Sequence, residues 1–394
     1  MINPKIIRIS QIHNTPPPMD RYIHPPVIDD LQKKMVFIGG PRQVGKTTLA
    51  LEILGGDEQH PAYFNWDYAD DKRILLQGGL PTGQPLIILD EIHKYKEWRN
   101  FVKGLYDKNK SRTSFLVTGS ARLDYYRKGG DSLQGRYHYY RLHPLSLYEL
   151  SRNPSSKDLE ALLRFGGFPE PFFAQSERDW KRWQRERISK VIHEDLVSLE
   201  QVREIGQLGL LAILLQERVA SLLSINSLRE DLVASHEAVD RWVRILENLY
   251  YCFRIRPFAA NKIKSLKKDK KLYLWDWSLC PDPGARFENL VASNLLKYCH
   301  FQEDTLGDSM ELCFLRDNLK REVDFVVLRD NVPLFAVECK TGTKSLSKHL
   351  AYFAERTDIP YFYQVHTGQD DYEVAELRVR VLPFTRFVEE VLQV

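Results

Sequence analysis

Hydrophobic residues between positions 35 and 120 occur in short runs that longer polar segments separate. The runs are Met35–Ile38, Ala62–Asn65, Leu86–Leu89 and Phe115–Val117. Each run has the length of a buried strand, and the polar segments between them are compatible with helices. Strands that alternate with helices predict a parallel sheet covered by helices on both faces.

The pattern changes after Pro144. Residues 156–250 are rich in Leu, Glu and Arg and contain long helical stretches without a clear strand. Strand-like runs return after Phe253, and they are Leu272–Trp275, Leu312–Leu315, Val323–Leu328 and Leu334–Cys339. These changes predict an α/β domain over residues 1–150, a helical region over 151–260 and a second α/β domain over 261–394.

The segment after the first predicted strand reads Gly-Pro-Arg-Gln-Val-Gly-Lys-Thr over residues 40–47. It matches G-x-x-x-x-G-K-[ST] in the required position between a strand and a helix, here Thr47–Leu54. Glycine lets the backbone wrap so that its N–H groups point at phosphate oxygens, and the helix N-terminus adds positive charge. We therefore predict an ATP site in which Lys46 reaches the β- and γ-phosphates and Thr47 binds Mg²⁺.

Two further strands are predicted to complete this site. The run at 86–89 ends in Asp90, expected to hold Mg²⁺, and Glu91, expected to polarise the attacking water. The next strand ends near Thr118 and Ser120, which either sense the γ-phosphate or form a plain exit from the strand. The residues predicted to contact the nucleotide are Gly40, Pro41, Arg42, Gln43, Val44, Gly45, Lys46, Thr47, Thr48, Thr118 and Ser120.

Hydrolysis of ATP also calls for an arginine that neutralises the charge of the transition state, from the same chain or from a neighbouring subunit. Arg122 and Arg136 follow the predicted sensor strand. Arg136, in the sequence Leu-Gln-Gly-Arg, is our candidate for this catalytic role.

Taken together, these stretches resemble a widespread prokaryotic family of AAA+-like ATPases with a C-terminal restriction-endonuclease-like domain. The matching stretches are Gly40–Thr48, Leu89–Lys94, Thr118–Ser120, Gly135–Arg136, Pro144–Ser146, Gly166–Glu170, Phe287–Asn289, Glu322–Asp324 and Val337–Lys340. They span almost the whole chain from about residue 20, and their order is more specific than any one of them. The resemblance implies a P-loop ATPase domain, a helical and winged-helix middle, and a nuclease-like end.

The middle region contains a candidate nucleic-acid interface. Ser227–Val233 and Glu237–Tyr250 are predicted helices joined by a turn, a spacing that suits a helix-turn-helix. The segment 254–271 that follows holds eight Lys or Arg residues and one acid, Asp269. A wing with this charge would bind DNA phosphates. The alternative is a structural connector with a solvated basic loop.

The C-terminal part contains three acids and a lysine that fit a second metal site. If the last two predicted strands form a hairpin centred near Asn331, Asp324 faces Glu338, and strand alternation puts Lys340 on the same face as Glu338. Glu288, on a predicted helix over 287–297, would approach from the side. Such a group would bind Mg²⁺ or Mn²⁺ and hydrolyse a phosphodiester with help from Lys340, or it is a set of surface carboxylates.

Composition narrows the function only slightly. The formal net charge is +3, which neither demands nor excludes DNA as a partner. The five cysteines include no C-x-x-C pair, which favours a reducing cytoplasm, and Met1–Asn14 has no apolar core of a signal peptide. We expect a Mg²⁺-dependent ATPase that acts on DNA, without a membrane and with oligomerisation open. The alternative is an ATP-dependent switch whose C-terminal domain binds a protein partner and cuts nothing.

Overall fold

The computed structural model describes residues 19–120, 133–191, 205–258, 269–342 and 345–394. Arg122 and four lysines of the basic segment lie outside these residues, and those lysines are Lys262, Lys264, Lys267 and Lys268. Within the described part of the chain, no helix is long and apolar enough to cross a membrane.

The N-terminal part folds around a five-stranded parallel sheet. Its strands are β1 (Met35–Gly39), β2 (Tyr63–Asn65), β3 (Leu86–Asp90), β4 (Ser114–Gly119) and β5 (Tyr137–Arg141), in the order β2-β3-β4-β1-β5. Its helices are α1 (His24–Leu31), α2 (Lys46–Leu54), α3 (Ala69–Leu76) and α4 (Trp98–Asn109). The predicted parallel sheet is confirmed. Strand β5 was not predicted because its sequence, Tyr-His-Tyr-Tyr-Arg, lacks an aliphatic run and lies partly exposed at the sheet edge.

Both faces of this sheet are covered, as a parallel sheet requires. Val36 and Ile38 of β1 point into one hydrophobic cluster with α1 and α2. Met35 and Phe37 point into a second cluster, which includes Trp98 of α4. The alternation along β1 therefore divides its side chains between the two layers.

Helices dominate the next part of the chain. They are α5 (Leu147–Leu150), α6 (Ser156–Phe165), α7 (Pro169–Ala174), α8 (Glu177–Lys190), α9 (Ile205–Gln216), α10 (Ile225–Leu232) and α11 (His236–Asn248). Helix α11 begins where Ser235 caps it by accepting a hydrogen bond from the Ala238 backbone N–H at 3.2 Å. The inner face of this helix carries Val239, Trp242 and Leu246, which are buried.

The C-terminal part is built on an eight-stranded mixed sheet in the order β12-β13-β11-β10-β9-β8-β6-β7. Its strands are β6 (Cys252–Pro257), β7 (Lys271–Leu274), β8 (Met310–Arg316), β9 (Glu322–Arg329), β10 (Val332–Lys340), β11 (Phe362–His366), β12 (Tyr372–Val374) and β13 (Val379–Pro383). Its helices are α12 (Pro283–Leu306), α13 (Lys348–Arg356) and α14 (Phe384–Phe387), which a π-helical turn over Val388–Leu392 follows.

The middle and C-terminal parts share one hydrophobic core. Leu211 of α9, Val243 of α11, Leu274 of β7 and Val337 of β10 belong to the same buried cluster. Strands β6 and β7, on either side of position 260, pair with each other in an antiparallel ladder. The two regions therefore pack as one body.

Helix α12 joins this body to the N-terminal parallel sheet. At its C-terminal end, Arg141 of β5 donates hydrogen bonds of 2.6 Å to both Glu303 and Asp304. His143 and His300 share a hydrogen bond of 2.8 Å beside them. A long helix that lies in the core of one body and binds an edge strand of the other fixes their relative position.

We expect Gly167→Ala to destabilise the packing of Trp277 against the segment that follows β5. A methyl group at Gly167 would lie 2.5 Å from the Trp277 ring and 2.7 Å from the Leu145 carbonyl oxygen. Overpacking of this kind destabilises a protein by about 1–3 kcal/mol, measurable as a lower urea midpoint. Gly104→Ala is the matched control, because nothing lies within 4 Å of a Cβ there. Equal midpoints for the two variants would contradict the expected clash.

Candidate functional site

The loop between β1 and α2 has the geometry of a phosphate-binding loop. A Cβ at Gly40 would lie 2.4 Å from the Leu142 carbonyl oxygen, and Gly45 has φ +99°, so both positions favour glycine. The Lys46 ammonium donates hydrogen bonds to the carbonyl oxygens of Gly40 at 3.0 Å and Pro41 at 2.8 Å. Lys46 begins α2 and is buried, so its charge lies inside the loop.

The remaining loop residues follow the backbone toward α2. Val44 is buried, and Gln43 has a left-handed backbone with φ 63°. The Gln43 side-chain oxygen is buried and makes no hydrogen bond with the described residues. Arg42 and Thr48 flank this turn in sequence. Contacts between these residues and a nucleotide stay a prediction.

Asp90 is the centre of a network of hydroxyl groups. Thr47 and Tyr63 each donate a hydrogen bond of 2.8 Å to Oδ2 of Asp90, and Thr118 donates one to Oδ1. The Asp90 carboxylate is 3% exposed. Strand order explains the convergence, because β3 lies between β2, which carries Tyr63, and β4, which carries Thr118. Tyr63 was missed by sequence reasoning, since a tyrosine in a strand gives no signal of this contact.

A hydroxyl and a carboxylate oxygen only 2.8 Å apart fit the donor set that Mg²⁺ prefers. Thr47 and Asp90 would hold this ion, as the sequence predicts. The Thr118 hydroxyl orients Asp90 instead of standing free, while Ser120 is buried at the end of β4. A phosphate-sensing role for either residue stays a prediction.

Glu91 has an unusual conformation and environment. Its backbone is left-handed, with φ 55°, a strained conformation of the kind that clusters at active sites. Its Oε2 atom is buried and makes no hydrogen bond with the described residues, although Lys94 Nζ lies at 3.6 Å and His93 Nε2 at 3.7 Å. Burial raises the pKa of Glu91, against the opposing charges of Lys46 and Lys94. Burial also lowers the pKa of His93 to about 3, so its imidazole is neutral.

Arg136 does not lie at this site. It precedes β5 at the end of the sheet opposite the phosphate loop, because Met35 pairs with Tyr137 while Gly39 pairs with Arg141. The length of the strand, about 16 Å, separates it from the loop. Its guanidinium instead pairs with Asp107 of α4 at 2.9 Å. The predicted role within one chain therefore disagrees with its position, and a role across subunits stays a prediction.

A buried network that the sequence did not suggest braces the phosphate loop. Arg21 donates hydrogen bonds of 2.8 Å to the Val44 carbonyl oxygen and to Oε1 of Glu149. Oε2 of Glu149 accepts a hydrogen bond from Lys297 of α12, and Lys297 also donates to the Ser146 hydroxyl at 2.8 Å. The loop is thus tied through two ion pairs to the helix that enters the C-terminal core.

The two ion pairs leave Glu149 charged despite its burial. Burial alone would raise the pKa of the Glu149 carboxyl group, but the charges of Arg21 and Lys297 more than offset it and lower that pKa to about 2. Burial lowers the pKa of Lys297 to about 8, against the charge of Glu149, so the ammonium persists at neutral pH.

The structure brings the four predicted C-terminal residues together. Backbone pairing of Val337 with Phe325 puts Asp324 opposite Glu338 one step further along the hairpin. The Cys339 backbone N–H donates to Asp324 at 2.8 Å, and the Lys340 ammonium donates to Glu338 at 2.6 Å.

Glu288 joins this group from α12. Its carboxylate accepts a hydrogen bond of 2.7 Å from the Tyr273 hydroxyl. Burial, and next the charge of Asp324, raise the pKa of both Glu288 and Glu338.

Lys271, the last residue of the basic segment 254–271, lies inside this acidic cluster. The Lys271 ammonium, on β7, lies 3.1 Å from Glu288, 2.5 Å from Glu322 and 3.5 Å from Asp324. Over the described ranges, no group of three or more His, Cys, Asp or Glu residues is placed to hold a metal ion. The expected second Mg²⁺ or Mn²⁺ at Glu288, Asp324 and Glu338 does not fit this arrangement, because an ammonium stands among the carboxylates.

Ion pairs also engage much of the basic segment. Arg254 donates two hydrogen bonds of 2.8 Å to Glu247, and Arg256 pairs with Glu311. Lys271 is 2% exposed. Among the described basic residues of the segment, Arg256 and Lys270 are exposed. The high positive charge of the sequence is therefore partly neutralised within the fold.

We expect Glu149→Gln to lower the free energy of unfolding by about 3–5 kcal/mol at pH 7, the effect of breaking a buried ion pair. Because the folded pKa of Glu149 lies below its unfolded value, its contribution is present above about pH 4.5 and is lost as the pH falls toward 2. The difference between wild type and variant in urea unfolding should therefore shrink between pH 5 and pH 2. Glu52→Gln, at an exposed position of α2, is the control. A difference that stays constant with pH would contradict this account.

Three family models match the chain. Residues 32–151 match the family described as "AAA domain". Residues 156–282 match "Domain of unknown function (DUF8612)", and residues 283–387 match "Domain of unknown function (DUF4143)". A restriction-endonuclease-like family is not among these descriptions.

The chain also resembles whole proteins. The uncharacterized protein Rv2008c of Mycobacterium tuberculosis is 25% identical over 366 residues, which cover 88% of this chain and 79% of that protein. The uncharacterized protein MJ1544 of Methanocaldococcus jannaschii is 25% identical over 342 residues, 78% of this chain and 75% of that protein. The structure of the Aeropyrum pernix ORC1 protein in complex with DNA is similar over 70% of this chain and 94% of that chain, with 13% identity and a TM-score of 0.34. The family match and the parallel sheet identify residues 32–151 as an AAA-type P-loop ATPase domain.

Proposed function

We propose that this protein is a Mg²⁺-dependent ATPase whose nucleotide site is built from the loop at 40–47 and from Asp90, Glu91 and Thr118. The observation that carries the proposal is the Asp90 carboxylate, which accepts hydrogen bonds from Thr47 and Thr118 directly beside the buried Lys46. A carboxylate, a hydroxyl and an ammonium at the end of one parallel sheet are the groups that a nucleoside triphosphate with Mg²⁺ requires.

Each side chain then has a task. Lys46 would exchange its contacts with the loop carbonyls for the β- and γ-phosphates. Thr47 and Asp90 would hold the ion, whose charge would offset that of the phosphates. Glu91 orients the attacking water with the carboxylate oxygen that has no hydrogen bond to the described residues. Preorganised charge of this kind, more than covalent chemistry, accelerates phosphoryl transfer.

We propose further that DNA is the partner on which the ATPase acts, through α10, α11 and the basic segment between β6 and β7. The order α9, a short extended segment, α10, α11, β6 and β7 supports a winged-helix arrangement, with an antiparallel bridge between Leu222 and Lys271. Helix α11 also lines a surface cavity of about 620 Å³, and Arg241 and Arg244 are among its lining residues. Arginine side chains exposed on a helix suit a phosphate backbone, although Arg244 also pairs with Asp240 at 2.7 Å.

The second candidate function is an ATP-dependent switch that binds a protein partner and cuts nothing. The ammonium of Lys271 within the acidic cluster favours it, because that lysine takes the position of a cleaving metal ion. The ion pairs of Arg254 and Arg256 favour it as well, since they reduce the charge offered to phosphates.

We expect Lys46→Ala to weaken ATP binding by about 10- to 100-fold, the equivalent of a hydrogen bond to a charged group. Glu91→Gln should keep ATP affinity and lose hydrolysis by roughly 10²-fold or more, because water activation acts in the transition state. Calorimetric ATP binding and the rate of phosphate release measure the two effects. Glu97→Gln, an exposed acid nearby, is the control. Wild-type turnover in Lys46→Ala would refute the site.

We expect the triple variant of Lys267, Lys268 and Lys270 to alanine to bind duplex DNA more weakly. Each lysine that contacts a phosphate contributes about 0.9 to the slope of log affinity against log salt, so that slope should become shallower. Lys271 is left intact because it is buried in the acidic cluster. A triple alanine variant at Lys108, Lys110 and Lys181, all exposed, removes the same charge elsewhere.

The ATPase rate with and without duplex DNA separates the two candidate functions. The first function is supported if DNA stimulates the rate in wild type and in the control variant, and stimulates it less in the variant of Lys267, Lys268 and Lys270. If DNA does not change the ATPase rate of any of the three proteins, and their affinities for DNA are equal, the protein-partner function is the one that remains.

A further inference from the structure

The Lys271 ammonium is placed as a cation among three carboxylates. Its distances to Glu322, Glu288 and Asp324 are 2.5, 3.1 and 3.5 Å. A divalent cation binds carboxylate oxygens at about 2.0–2.6 Å. An ion bound by the same three side chains would therefore stand within a few ångströms of the ammonium, where like charges in a buried site repel strongly.

The fold holds this ammonium in place. Lys271 is 2% exposed and pairs with Ile255 of the neighbouring strand β6. On its other side it forms an antiparallel bridge with Leu222. Backbone pairing on both sides of Lys271 and the burial of its side chain therefore keep the ammonium within the cluster.

A fourth carboxylate of the cluster is incompletely bonded. Oε1 of Glu338 accepts hydrogen bonds from Lys340 at 2.6 Å and from Ser347 at 3.3 Å. Oε2 of the same group is buried and makes no hydrogen bond within the described residues. A buried carboxylate oxygen without a partner is available to bind a hydrogen-bond donor or a cation, because its burial is unfavourable until one of them binds it.

We propose that Lys271 is a built-in counter-cation that closes this cluster to divalent metal ions. The ammonium satisfies Glu288, Glu322 and Asp324, which a metal ion would otherwise bridge to Glu338. With Lys271 removed, the same carboxylates provide the hard oxygen ligands of a Mn²⁺ or Mg²⁺ site. The C-terminal site of the folded chain is thus a metal-excluding ion-pair cluster, which does not depend on the proposed ATPase or DNA functions.

The test is a titration of the full-length, nucleotide-free protein with Mn²⁺. Electron paramagnetic resonance measures the concentration of free Mn²⁺ at each step and hence the number of ions bound per chain. The Glu338→Gln variant loses a carboxylate of the cluster and leaves the N-terminal site unchanged. Any Mn²⁺ ion that disappears with this substitution was therefore bound at the cluster. Wild type and Glu338→Gln should bind the same amount of Mn²⁺. Lys271→Met should bind one more Mn²⁺ per chain than Lys271→Met combined with Glu338→Gln.

Two further variants keep the test decisive. Lys271→Met with Glu322→Gln removes one carboxylate along with the ammonium, so it limits the repulsion that could prevent folding, and it should gain the same Glu338-dependent ion. Lys270→Met, at the exposed neighbouring position, loses the same charge and should gain none. A Glu338-dependent Mn²⁺ ion in wild type overturns the proposal, and so does its absence from both Lys271 variants.

Discussion

The ion pair between Lys297 and Glu149 is the contact on which the arrangement of the two bodies depends. Both side chains are almost fully buried, so each charge is tolerable only while the other is present. Glu149 also binds Arg21, and Arg21 binds the Val44 carbonyl oxygen within the phosphate loop. A shift of α12 would therefore displace Glu149 and Arg21 and so disturb the phosphate loop. A change in the loop would act on α12 through the same contacts.

Helix α12 extends this constraint to the C-terminal cluster. Glu288 and Lys297 lie on the same helix, roughly 14 Å apart at 1.5 Å per residue. One end of the helix thus enters the acidic cluster, the middle pairs with Glu149, and the far end binds Arg141 through Glu303 and Asp304. These pairs give the helix a fixed register against both sheets, which hydrophobic packing alone does not specify as sharply.

The two acidic sites differ in what neutralises them. Around Asp90 the partners are hydroxyl groups of Thr47, Tyr63 and Thr118, which carry no charge and leave the carboxylate able to attract a cation. Around Asp324 the partner is the Lys271 ammonium, which already carries the positive charge. On our proposals, the site around Asp90 therefore binds a divalent ion and the cluster around Asp324 excludes one, because their neighbours differ in charge.

Local sequence patterns were enough to predict the phosphate loop, the parallel strands that carry Asp90 and Thr118, and the position of Asp324 opposite Glu338. Each of these rests on short-range information: a fixed spacing, an apolar run or the period of a strand. Three features became evident from the folded structure alone. Arg136 lies at the end of the sheet opposite the phosphate loop. Arg21 binds the Val44 carbonyl oxygen, and the Lys271 side chain lies in the acidic cluster although its neighbours in sequence are basic. These outcomes depend on strand order and on contacts between residues far apart in the chain. Ion pairs form between side chains that the fold brings close together, whatever their separation in sequence. A count of charges along the sequence cannot distinguish a lysine that faces solvent from one that neutralises buried acids.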